Sequence, residues 1–281
     1  MMNPVCYSGK AFLPLESASV SVHDLGVQRG YGIFDFLRVS RNVPLFLEDH
    51  LDRFYHSAAE MRLSIQESRQ EIRDILFHLI RENSLQTSGI RLILTGGASP
   101  DGYQIIEPAL AIVQQVIHSP ADELAMPGIH LLTYPFQRQL AHVKTTDYLM
   151  AIWLQPWLKK NGGDDILYHQ SGKFTECPRS NFFIVTEQGT LVTPGSHMLK
   201  GITRKQVLTL AGISGINVEE RDISLDDIRT AHEAFITSST KRIVPVRQVD
   251  DIRFPMLEKD SVTRRLWESF LALERRLTEA G

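Results

Sequence analysis

Lys173-Phe174-Thr175-Glu176-Cys177-Pro178-Arg179-Ser180-Asn181-Phe182-Phe183-Ile184-Val185 puts a carboxylate at the end of a β-like run. The carboxylate sits on a tight, proline-containing turn, and an apolar strand from Phe182 to Val185 follows. After a second strand around 190–193 comes Leu199-Lys200-Gly201-Ile202-Thr203-Arg204. That hexapeptide opens a helical run to Ala211 that stops at Gly212. A glycine and a hydroxyl at a helix start favour an anion, because backbone N–H groups and the helix dipole both point at it. Read singly, the pieces are a strand turn and a capped helix. Read together, they put a buried carboxylate and a phosphate cradle on one segment.

Other motifs lie on either side. Upstream are His50-Leu51-Asp52-Arg53-Phe54-Tyr55-His56-Ser57-Ala58 and His142-Val143-Lys144-Thr145-Thr146-Asp147-Tyr148. Downstream is Ile236-Thr237-Ser238-Ser239-Thr240, followed by Lys241-Arg242-Ile243-Val244-Pro245-Val246. In this order and spacing the chain resembles the fold type IV family of pyridoxal-phosphate enzymes, from about Asp24 to about Val246. That family holds D-amino-acid aminotransferases, branched-chain aminotransferases and aminodeoxychorismate lyases. The resemblance implies an α+β fold of two domains, a small α/β N-terminal one and a larger, β-barrel-like C-terminal one.

Composition bounds the remainder. The chain has 281 residues and 43% hydrophobic content, enough for one large core or two modest ones. A net charge of −3 favours neither nucleic acid nor an anionic membrane as partner. No apolar run approaches the roughly 20 residues that span a bilayer. Met1-Met2-Asn3-Pro4 carries no secretory signal pattern. Cys6 and Cys177 suggest no disulfide framework. The expectation is a soluble, cytoplasmic protein without an assigned metal site.

Along the chain, residues 1–48 alternate short apolar runs with turns at Tyr7-Ser8-Gly9-Lys10 and Ser40-Arg41-Asn42-Val43-Pro44. Between them lies Asp24 to Val39, where Gly30-Tyr31-Gly32 alone is a weak signal; the resemblance implies that this segment is a loop entering a strand. Glu48 to Met61 has helical spacing, with Leu51, Phe54, Tyr55, Ala58 and Met61 on one face and Arg53 off it. A second helix is expected over 68–83, and strands over 90–97 and 110–116. Further helices are expected over 146–160, after Thr203 and over 262–278. His118-Ser119-Pro120-Ala121-Asp122-Glu123 breaks the pattern. It suggests a small domain over 1–118, a linker over 119–127 and a large cofactor-binding domain over 128–281.

The resemblance also implies roles. Lys144, which composition alone would leave on the surface, becomes the Schiff-base lysine; such an amine reacts only when deprotonated. Glu176 becomes the partner of the protonated pyridine nitrogen. Arg53, the Ile202 and Thr203 amides and Ser239 form the phosphate cup. Leu199 packs against the ring face, and Tyr148 reaches the ring hydroxyl. The family's loop around Arg29 completes a neighbouring subunit's site, which implies a homodimer.

Substrate choice rests on departures from the family pattern. The D-amino-acid enzymes trap the α-carboxylate with a tyrosine, an arginine and a histidine; the matching positions are Phe34, Asp101 and Tyr103. An acidic residue usual after the aromatic is here Asp35, not glutamate. Arg29, Arg91 and Arg179 stand at positions that line the pocket in relatives. Singly each reads as a surface arginine; together they suggest a site for dicarboxylates, because buried unpaired arginines are costly. Ser239 and Thr240 join Phe34 and the arginines as expected substrate contacts. The expected reaction is transamination of D-amino acids with 2-oxo acids such as 2-oxoglutarate. A branched-chain L-aminotransferase and an aminodeoxychorismate lyase remain the alternatives.

Overall fold

The structure, a computed structural model, describes residues 4–118 and 122–280. Residues 119–121, at the start of the expected linker, lie outside the described residues. The chain divides into two compact units. The first comprises Met1–Ser119, Val143–Asp147 and Leu277–Gly281; the second comprises Pro120–His142 and Tyr148–Arg276.

The first unit runs β1 (Val5–Ser8), β2 (Ala11–Pro14), α1 (Leu25–Arg29), β3 (Gly32–Ser40), β4 (Val43–Pro44), α2 (Leu47–Glu60), α3 (Arg69–Asn83), β5 (Thr87–Thr95) and β6 (Ala109–Val116). Its sheet is antiparallel, in the order β2-β1-β6-β5-β3-β4. Strand side chains alternate between faces, and β3 uses both. Ile33, Leu37 and Val39 enter a core with Leu51 and Phe54 of α2 and Leu76 of α3. Each fully buried side chain of that size contributes about 1.5–3 kcal/mol relative to an exposed one. Asp35 shares this helix-facing side, while Phe34 and Phe36 occupy the other.

Local chemistry sets the helix ends. Ser68 and Glu71 form a reciprocal capping box at the start of α3. Where a loop was expected before β3, the chain makes the short α1. The Asp24 carboxylate caps Gly26 N–H, and Gly30 ends the helix at φ 66°, a conformation glycine adopts without steric cost. The segment Val143–Asp147 is tied to β3: Phe34 N–H donates to Lys144 C=O at 3.0 Å and Thr146 N–H to Gly32 C=O at 2.9 Å.

The second unit runs β7 (Ile129–Pro135), α4 (Leu149–Trp153), α5 (Gln155–Lys160), β8 (Asp165–Gln170), β9 (Lys173–Phe174), β10 (Glu176–Cys177), β11 (Ser180–Val185) and β12 (Leu191–Thr193). It continues through α6 (Ile202–Ile213), β13 (Val218–Glu220), α7 (Leu225–Thr230), β14 (Glu233–Ser238), β15 (Arg242–Val249), β16 (Ile252–Arg253) and α8 (Val262–Ala280). Its mixed sheet follows β13-β12-β11-β14-β15-β7-β8-β9, with β10 on β11 and β16 on β15. It curls as a half barrel, and β15 carries a register shift between Val246 and Gln248. Phe182, Ile184, Ile236 and Val244 fill its core. The single helix expected over 146–160 is two short ones, broken at Leu154. Pro156 sits in the first turn of α5, where a proline is tolerated but could not continue a preceding helix. No helix among the described residues is long and apolar enough to cross a membrane.

Candidate active site

In the first unit, three of the expected site residues form a row. The Lys144 amine lies 4.5 Å from the centre of the Phe34 ring. The Arg91 guanidinium carbon lies 5.3 Å from the same ring and 5.6 Å from Phe36. The β3–β5 register pairs Phe36 with Arg91 directly and so fixes the row. Aromatic faces attract both cations. Arg91 is half-buried and has no hydrogen bond or ion pair among the described residues. A partly desolvated guanidinium without a carboxylate is costly to leave empty-handed, and its five in-plane N–H donors stay open to an anion.

On the helix-facing side of β3 lies a second constellation. Asp35 is fully buried and accepts from Arg53 Nε and Nη2, both at 2.8 Å. The same carboxylate accepts from His50 Nδ1 at 2.7 Å and from the Phe36 N–H at 2.7 Å. Burial alone would raise the Asp35 pKa, but the charges and hydrogen bonds of Arg53 and His50 outweigh it and hold the carboxyl well below the usual range. Burial in turn lowers the pKa of His50, against the pull of Asp35. Arg53 thus lies in a buried pair, not in the solvated position its place off the apolar stripe suggests. Its Nη1 has no partner among the described residues.

Arg29 does not join the row. It is exposed at the end of α1, donates to Gly102 C=O at 3.2 Å and lies over the Tyr103 ring. Asp101 is turned into its own loop, accepting from Ser99, Tyr103 N–H and Gln104 N–H.

In the second unit, Glu176 is the centre. One carboxylate oxygen accepts from Arg138 Nε and Nη2, each at 2.8 Å; the other accepts from the Leu199 N–H at 3.0 Å. Asn181, paired with Glu176 across β10 and β11, donates to Leu199 C=O at 2.6 Å. The loop into α6 is therefore pinned at both polar groups of Leu199. Gly201 caps α6 without a side chain, and a Cβ there would collide with the Asn181 amide oxygen. Ile202 and Thr203 are buried in the first turn of α6. The Gly201 cap supplies no side-chain hydrogen bond to the α6 amides. Ser239 is half-buried, Thr240 exposed, and Arg179 exposed on the Glu176 turn; Tyr148 is half-buried before α4.

Sequence reading passed over Arg138, Phe36 and Gly89. Arg138 lies in Phe136-Gln137-Arg138-Gln139, where nothing local marks it, and its partner is a long-range one. Phe36 and Gly89 meet only through strand register.

A family model for class IV amino-transferases matches residues 32–249. The chain is 31% identical over 272 residues to a Methanocaldococcus jannaschii protein provisionally named a branched-chain-amino-acid aminotransferase, covering 94% of each. It is 29% identical over 266 residues to the D-alanine aminotransferase of Listeria monocytogenes serotype 4b, covering 91% of each. In structure it is similar to the branched-chain amino acid aminotransferase from Escherichia coli. The TM-score is 0.88 at 24% identity, covering 96% of this chain and 94% of the other. The family match spans most of the length, so the chain belongs to the class IV aminotransferases, enzymes whose cofactor is pyridoxal 5′-phosphate.

Proposed function

We propose that the protein transaminates D-amino acids, D-glutamate and D-alanine among them, with 2-oxo acids such as 2-oxoglutarate. The observation that carries the dicarboxylate part is Arg91, half-buried and without an anionic partner, one aromatic ring away from the Lys144 amine. The D-alanine aminotransferase relatives support the D part. The M. jannaschii relative favours a second reading, a branched-chain L-aminotransferase.

The residues present suit the cofactor. Arg53 keeps Nη1 for a phosphate oxygen, and α6 begins with a cap that leaves its first amides to an anion. Glu176 accepts from Arg138 and from the Leu199 amide, a donor set that suits a carboxylate. In the proposal, Lys144 holds the cofactor, and Arg53, the Ile202 and Thr203 amides and Ser239 take its phosphate. Glu176 keeps a proton on the pyridine nitrogen, Leu199 supports the ring and Tyr148 bonds its hydroxyl. The bound cofactor supplies an electron sink for the pair released at the substrate α-carbon. With the cofactor bound, the Lys144 amine would be the base that takes the proton from the substrate α-carbon and the acid that returns it. Arg29, Arg91, Arg179, Phe34, Ser239 and Thr240 are the substrate contacts.

The assay that tests this compares D-glutamate, D-alanine and L-leucine as amino donors with matched 2-oxo acids. Turnover of L-leucine alone would replace the proposal with the branched-chain reading. Arg91→Leu should lower kcat/KM for 2-oxoglutarate about ten- to a hundredfold, the loss of one charge-assisted contact of ~1.5–3 kcal/mol, and spare pyruvate. The proposal includes a cytoplasmic homodimer in which Arg29 serves the partner's site. An active monomer in sedimentation at assay concentration would remove that part.

A further inference from the structure

Gly89 lies beside Phe36 across β3 and β5, and a Cβ at position 89 would fall on the far end of the Phe36 ring. The ring thus lies over bare backbone. Only 9% of Phe36 is exposed, and its other flank is the Arg91 guanidinium, 5.6 Å from the ring centre. Phe34, two residues along the same strand face, holds that guanidinium at 5.3 Å. Arg91 therefore meets two aromatic rings and, among the described residues, no acid.

We propose that Phe36 is a specificity-determining positioning residue: lying across Gly89, its ring clamps Arg91 with Phe34 and fixes the guanidinium as receptor for a second substrate carboxylate. The inference rests on the proposed reading of Arg91 and assigns the residue that makes that arginine selective. Two physical effects are involved. An arginine side chain has many rotamers, and ordering it on binding lowers affinity; a stacked guanidinium is ordered beforehand. Rings engage the cation through its charge and leave the N–H fork for a planar, bidentate carboxylate. The absence of a side chain at position 89 is what makes room for the ring. A larger residue there would push Phe36 off its seat and free Arg91.

The test uses holoenzyme variants Phe36→Val, Phe36→Tyr, Gly89→Ala and Arg91→Leu, each checked by thermal melting. Two readouts apply. One is kcat/KM for 2-oxoglutarate against pyruvate; the other is the equilibrium Kd of glutarate against butyrate, which needs no turnover. Phe36→Val and Gly89→Ala should each lower the 2-oxoglutarate to pyruvate ratio about three- to tenfold, through KM, and weaken glutarate alike. Phe36→Tyr, which keeps the ring, should hold both within about twofold of the parent. Phe36→Val added to Arg91→Leu should bring no further loss, since both act through one guanidinium. If Arg91→Leu collapses the ratio while Phe36→Val and Gly89→Ala leave it unchanged, the role of Phe36 is wrong and the reading of Arg91 stands. If Arg91→Leu itself leaves both readouts unchanged, the reading fails and takes this inference with it. Gly89→Ala keeps the test valid should Phe36→Val not fold.

Discussion

Each unit buries a carboxylate against an arginine, and the proposed function uses the two pairs in opposite senses. In the first, Asp35 is enclosed by Arg53, His50 and a backbone amide, and part of the Arg53 fork is left over. In the second, Arg138 is tied to Glu176 and to the Ala141 carbonyl, while Glu176 also reaches the loop before α6. The proposal gives the cofactor the arginine of one pair and the carboxylate of the other. One kind of ion pair can thus present either sign of charge. In each pair the remaining member supplies the countercharge that a buried charge needs.

The sharpest way to break the comparison is to remove the supporting member of the first pair. Asp35→Ala leaves the Arg53 charge largely buried without its partner, and the loss expected is about 3–5 kcal/mol of unfolding free energy. Urea denaturation of the variant checks it; a loss under about 1 kcal/mol would mean that Arg53 does not depend on Asp35. Next come the two members of the second pair. Glu176→Gln, which removes the charge assigned to the pyridine nitrogen, should lower kcat by about a hundredfold or more. Arg138→Leu leaves that charge in place and should cost less, about tenfold. Steady-state rates decide the order, and a larger effect from Arg138→Leu would reverse the assignment of front and support.

The smallest effect concerns His50, the third member of the Asp35 cluster. Asp35, Arg53 and Lys144 surround it, and its pKa in the folded chain lies below the ordinary value near 6.5. The unfolded chain therefore binds the proton first. Stability is full above pH about 6.5 and falls as the pH drops below it, with a slope of at most one proton. His50→Gln should flatten that part of the profile, measured by denaturation between about pH 5 and 8. The Asp35 contribution has the same sign but lies at far lower pH, since its folded pKa is depressed.

What the sequence disclosed follows the range of the forces involved. The stripes of α2 and α3 are set by neighbours three and four residues apart, and both helices lie within a residue or two of their expected spans. The motif around Glu176 was conspicuous because turn, proline and strand are contiguous. Arg138 was silent because Glu176, the acid it pairs with, lies far along the chain on β10. Helical spacing put Arg53 off the apolar face and could not show its burial, because Asp35, which pairs with it, belongs to β3. The Phe36–Gly89 contact needs the β3–β5 register, which no local pattern encodes. The break at Leu154 was in principle visible in Pro156, but the apolar run across it hid the stop.

The alternation of β3 has an evolutionary consequence. Asp35 faces the helices and supports the residue assigned to the phosphate, while Phe34 and Phe36, its immediate neighbours, face the assigned substrate contacts. A point substitution at 34 or 36 changes one face and spares the other, so substrate range can drift while cofactor affinity is inherited intact. Loss or gain of a single residue in β3 would exchange the faces and damage both at once. Within a lineage, this strand should accumulate replacements at even positions and tolerate no change of length.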